Sequence, residues 1–159
     1  FLMTQKRLLP RLIAISTAML AALTLAGCSS SVSLEAATDS NNPACAEVSV
    51  RLPDQIEGND KRRTNAQATG AWGNPSVILL RCGLEPVYAS ALPCVTAGGV
   101  DWLVDDSTAP NYRFISFGRK PAVEVLVDSK HASGVTALEA LAPAVSKIEA
   151  TRECLAKSN

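Results

Sequence analysis

Residues 122–127, Ala-Val-Glu-Val-Leu-Val, alternate strictly. In an extended chain Val123, Val125 and Val127 share one face, and Glu124 and Leu126 share the other. Shortly afterwards the period changes. Leu138, Leu141, Ala142, Val145 and Ile148 recur at helical spacing, and Thr136 with Glu139 has the spacing of a capping box. A strand with an apolar face followed by a helix with an apolar stripe can bury both by packing one on the other. Pro143 lies inside the stripe and predicts a kink or a split there.

Towards the N-terminus the same alternation continues. Tyr112 to Phe117 reads as a strand joined to 122–127 through Gly118-Arg119-Lys120-Pro121. Cys94 to Ala97 and Val100 to Val104 flank Gly98-Gly99, a two-residue hairpin signal. Ser76 to Cys82 is apolar on both faces, as in a central strand. Residues 54–71, with Gly58-Asn59-Asp60 and Lys61-Arg62-Arg63, are polar and read as a solvated surface loop. Asn42-Pro43 looks like an N-cap followed by a first-turn proline. Cys45, Val48 and Leu52 then lie on one face of a short helix ending at Pro53, although alternation at Val48-Ser49-Val50 also fits a strand. Short connections between successive strands favour antiparallel pairing. The expected fold is α+β: a largely antiparallel sheet of about five strands, with a short N-terminal helix and a C-terminal helix packed on one face. Residues 43–159 form its single globular domain.

The preceding segment is of another kind. Lys6, Arg7 and Arg11 lead into an uncharged apolar run from Leu12 to Gly27, the pattern of a signal peptide over residues 1–27, with Met3 the expected start. The run is shorter than the roughly 20 residues that span a hydrocarbon core. It ends in Leu25-Ala26-Gly27-Cys28, which resembles the lipobox of bacterial lipoproteins. That resemblance implies cleavage behind Gly27 and acylation of Cys28, anchoring the chain by its lipid. Residues 28–42, rich in Ser, Ala and Asn, then read as the lipidated cysteine and a flexible tether with a reach of roughly 20 Å.

The whole chain holds 15 basic and 15 acidic residues; losing Lys6, Arg7 and Arg11 leaves 12 against 15, a net charge of −3. Neither balance suits nucleic-acid binding, which needs a basic excess or stripe. Of five cysteines, assigning Cys28 to lipid leaves Cys45, Cys82, Cys94 and Cys154 for two disulfides. Three connectivities are open. Cys82–Cys94, closing a loop rich in turn formers, and Cys45–Cys154, stapling the domain's start to its last helix, are the favoured pair. With one histidine and no short Cys pair, no metal site and no cofactor are expected.

Catalytic candidates are sparse. His131 lies in a loop with Asp128, Ser129 and Ser133, residues too local to build a triad readily, and there is no GxSxG elbow. Asp101, Asp105 and Asp106 fit turn and edge-strand roles, without a calcium-loop pattern. No phosphate loop is present. No catalytic residue is assigned. One polar patch on the sheet face away from the helix is expected instead, from Trp72, Arg81, Asp101, Trp102, Arg119 and Glu124. Arginine reads carboxylates bidentately and tryptophan stacks, so the patch would suit an anionic or saccharide-like ligand. Buried ion pairs and core tryptophans account for the same residues.

Four ordered motifs, Trp72-Gly73-Asn74-Pro75, Leu80-Arg81-Cys82-Gly83, Val100-Asp101-Trp102 and Gly118-Arg119-Lys120-Pro121-Ala122-Val123-Glu124-Val125, resemble an actinobacterial family of small exported lipoproteins of the domain of unknown function 3515 type. The resemblance spans about Cys45 to Cys154, implies an envelope protein, and brings no activity or site. The expectation is a non-catalytic lipoprotein on the outer face of the cytoplasmic membrane, binding an envelope protein or cell-wall ligand. An envelope hydrolase using Asp101 or Glu124, and a structural accessory of a membrane complex, are the other two readings.

Overall fold

The computed structural model describes residues 30–155, so the leader 1–27 and Cys28 lie outside the described residues. A compact unit begins at Ser31. Its elements are α1 (Pro43–Ser49), β1 (Gln55–Ile56), β2 (Asn59–Arg62), β3 (Thr69–Trp72), β4 (Ile78–Leu84), β5 (Cys94–Ala97), β6 (Val100–Asp105), β7 (Asn111–Ser116), β8 (Ala122–Asp128) and α2 (Gly134–Val145). The eight strands form one sheet in the order β1-β2-β3-β4-β8-β7-β6-β5, and every neighbouring pair is antiparallel. Two four-stranded meanders therefore meet where β4 pairs with β8.

The class is α+β as expected, but the sheet has eight strands rather than about five. The additional three come from the polar stretch read as a loop. Glu57 and Gly58 have φ of 48° and 76°, so they make a tight hairpin turn between β1 and β2. A glutamate in place of the usual Asn or Asp disguised that turn. β2, Asn-Asp-Lys-Arg, has no buried residue, since a strand near a sheet edge needs no apolar alternation. β3 carries Trp72, fully buried, whose indole N–H donates to the Pro53 carbonyl at 2.9 Å.

One face of the sheet makes the main core. Trp72, Ile78, Leu80, Trp102, Val123, Val125 and Val127 pack there with Val48 of α1 and Leu138, Leu141 and Val145 of α2. Helix α1 follows the helical reading, capped by Asn42, whose Oδ1 accepts from the Ala44 N–H at 3.0 Å. Helix α2 starts earlier than the Thr136/Glu139 box predicts. Its cap is Ser133, whose hydroxyl accepts from the Thr136 N–H, while the Ser133 N–H donates to Glu57 Oε2 at 2.7 Å. Pro143 does not split α2; it stands in the final turn, where little helix remains to be interrupted.

Two expectations are corrected. The bonds are Cys45–Cys82 and Cys94–Cys154, with Cα separations of 5.6 and 6.3 Å. Cys82 pairs with Val123 on the helix side of the sheet, whereas Cys94 pairs with Leu103 on the other side. Four strand spacings, roughly 19 Å, also separate β4 from β5, so those two sulfurs cannot meet. Nor is the chain from Val32 a free tether. The Val32 N–H donates to Arg63 (2.7 Å), the Leu34 N–H to Asn65 Oδ1 (2.8 Å) and the Asp39 N–H to Gly83 (2.9 Å). Gly83, at φ 111° beside a register shift in β4, permits this approach, because a Cβ there would lie 2.5 Å from the backbone of Asp39 and Ser40.

Candidate functional site

The face opposite the helices carries the charged residues. Across it, Thr69, Arg81, Glu124 and Ile115 stand in register on β3, β4, β8 and β7. Glu124 is buried, and its Oε2 accepts from Arg81 Nε at 3.0 Å and Nη2 at 2.8 Å. Oε1 accepts from Arg113 Nε, reaching diagonally from its own partner Leu126. One carboxylate thus bridges β4, β8 and β7, tying the two meanders together. Beside this triad lies a hollow of about 170 Å³ walled by Leu34, Thr69, Leu79, Arg81, Glu124 and Leu126.

Asp101 shares this face by alternation but sits two strands and one residue pair from Glu124, roughly 12 Å away. Its Oδ1 accepts from the Thr96 hydroxyl at 2.6 Å and its Oδ2 from the Cys154 N–H at 2.7 Å. Arg119, in the turn from β7 to β8, is only 6% exposed. Its backbone bridges to Ala150 and its Nη1 donates to the Ile148 carbonyl, while Nε is buried with no partner among the described residues. Burial pushes the guanidinium below its ordinary pKa, and the charge of Asp101 partly opposes that shift. Arg119 and Asp101 line a second hollow, of about 300 Å³. Between the triad and this hollow lies a small apolar cluster of Leu103, Ile115, Phe117 and Ala122, against which Cys154 packs.

The six-residue patch is therefore not formed. Arg81 and Glu124 meet, joined by Arg113; Asp101 and Arg119 belong to another hollow; Trp72 and Trp102 are buried in the core beneath the opposite face. Arg113 was detectable as a basic residue alternating with Ile115, but its diagonal reach depends on strand register. Asp105 turns out to cap its own turn: the Ser107 hydroxyl and N–H hold its carboxyl below the usual range, helped by Arg113. His131 Nδ1 lies 2.7 Å from Asp128 Oδ2, and that contact and the Lys130 N–H lower the Asp128 pKa. Ser133 is committed to capping α2, so this exposed pair has no nucleophile from that quarter. Cys94, Asp101 and Cys154 bring their donor atoms close together, but both sulfurs are bonded to each other and offer no thiolate.

The four motifs fall in the β3–β4 turn, on β4, on β6 and through the β7–β8 turn into β8. A family model described as Protein of unknown function (DUF3515) matches residues 9–154. The chain belongs to this family. No curated protein and no solved structure matches it. Within this DUF3515 chain the motif residues include two core tryptophans, a disulfide cysteine and glycines at positive φ, alongside the arginines and acids just described.

Proposed function

We propose that this DUF3515 protein is a cell-envelope lipoprotein, exported and acylated on Cys28, which holds a non-catalytic binding domain at the outer face of the cytoplasmic membrane. The cysteine pattern carries this reading. All four cysteines of the described residues are paired, as suits an oxidising compartment, which leaves Cys28, in Leu25-Ala26-Gly27-Cys28, without a disulfide partner among them. The acids that a hydrolase would draw on already accept hydrogen bonds, Glu124 from two arginines and Asp101 from Thr96 and Cys154. That occupancy supports binding over acid–base chemistry.

The anchor would also be short. Only Ser29, Ser30 and Ser31 separate Cys28 from the paired residue Val32, a reach of at most about 14 Å. Exposed Arg63, whose carbonyl accepts from Val32, and exposed Lys61, two residues before it, would lie near lipid phosphates. The test is metabolic labelling with palmitate in the native host. Label should enter the wild-type chain and not Cys28→Ala, which should leave the membrane fraction. Equal labelling of both, or none in the wild type, refutes the reading.

A further inference from the structure

We infer that the hollow beside Arg119 is a binding site for a small carboxylate. Buried charges are ordinarily paired, because a guanidinium removed from water must recover its solvation from an anion or a full set of acceptors. Arg81 and Arg113 obey this rule although each side chain is about a third exposed, at 34% and 36%. Arg119 is far more buried yet makes no ion pair among the described residues. Among the described residues its side chain donates to one backbone carbonyl, and its Nε has no partner. Asp101, on the same wall, accepts from Thr96 with one oxygen and from the Cys154 N–H with the other, and makes no ion pair with Arg119.

The surroundings select the anion. The hollow is lined by Thr96, Asp101, Arg119, Arg152 and Glu153, so two guanidiniums face two carboxylates. Such a balanced wall accepts one further negative charge more readily than two, which favours a carboxylate over a phosphate dianion. A carboxylate would be held through a terminal N–H of the guanidinium, because Nε has no surface open to the hollow and Nη1 already donates to Ile148. Arg152 is positioned by the Tyr88 ring, 5.7 Å from its centroid, and supplies a second cation at the exposed rim. A volume of about 300 Å³ stands at the lower end of small-molecule sites, suiting a small acid or the C-terminal carboxylate of a peptide. This site does not depend on acylation of Cys28.

The test is NMR titration of the full ¹⁵N-labelled chain in detergent, following the Arg119 Nε–H signal, assigned by its loss in Arg119→Lys. The probes are sodium acetate, triglycine, triglycine amide and inorganic phosphate, with sodium chloride as the ionic-strength control. A saturable shift with acetate and triglycine, absent with the amide, supports the site. A stronger response to triglycine marks a peptide end, and a stronger response to acetate marks a free acid. Arg119→Lys should weaken binding, read from ligand line broadening, by about 10- to 100-fold, the value of a charge-assisted hydrogen bond. Ala150→Leu, which adds bulk to the wall of the hollow and retains Arg119, should weaken binding even if the arginine variant fails to fold. The inference is overturned if no carboxylate saturates the signal, if chloride matches acetate, if phosphate binds more tightly than either acid, or if Ala150→Leu responds as the wild type does.

Discussion

Glu124 offers the sharpest test of how the two meanders are joined. Glu124→Gln keeps the size of the side chain and removes its charge, leaving Arg81 and Arg113 facing each other across β8. Breaking a fully buried ion pair costs about 3–5 kcal/mol. Here only the carboxylate is buried, at 6% exposure, while the guanidiniums are 34% and 36% exposed and can turn to water. Glutamine also retains one carbonyl acceptor. The expected loss is therefore about 2 kcal/mol, or a melting temperature lower by about 6–10 °C for a domain of this size. Replacing all three groups, as Arg81→Met, Arg113→Leu and Glu124→Leu, should restore most of that loss. The neighbouring Leu34, Leu79 and Leu126 would then pack against apolar side chains. Urea unfolding followed by the fluorescence of buried Trp72 and Trp102 measures both quantities. A loss below about 0.5 kcal/mol for Glu124→Gln, or a triple variant less stable than the single one, would refute the reasoning.

Non-reducing peptide mapping should recover Cys45 linked to Cys82 and Cys94 linked to Cys154. With sequence separations of 37 and 60, Cys45→Ala/Cys82→Ala and Cys94→Ala/Cys154→Ala should each lower unfolding free energy by about 4 kcal/mol on the loop-entropy model. Gly83→Ala should destabilise the domain by at least about 2 kcal/mol and speed hydrogen exchange at the Asp39 amide, since the added Cβ would strike the backbone of Asp39 and Ser40. Unchanged protection at Asp39 would show that the N-terminal segment does not depend on this close approach.

The alternating Val123, Val125 and Val127 and the stripe from Leu138 to Ile148 were sufficient to place a sheet face against a helix, because both patterns record burial directly. What they could not record is pairing. β2 has no buried residue and so leaves no alternation to detect, and the β1–β2 turn uses Glu57 where a hairpin signal would have Asn or Asp. The disulfides failed for a related reason. Cys82 and Cys94 are near in sequence, yet alternation sets them on opposite faces and the β4–β8 junction drives four strand spacings between them. Chain proximity favoured the short loop; the crossover that joins the meanders decided otherwise.

The site was obscured by the same limit in a sharper form. Arg81 and Arg119 each stand in a motif beside a glycine or cysteine, and nothing local distinguishes them. Register does. Arg81 stands directly across from Glu124, so its charge is answered within the sheet and serves the join between β4 and β8. Arg119 lies past the end of β7, where the chain opposite is the stretch after α2 and supplies the carbonyl of Ile148 instead of an acid. Asp101 is near enough to be felt by Arg119, yet its two oxygens are held by Thr96 and by the segment that Cys94–Cys154 ties down. Asp101 therefore acts on Arg119 through its charge but forms no ion pair with it. A buried cation with no ion pair among the described residues is costly for folding alone. Binding an external anion is the use that would offset that cost.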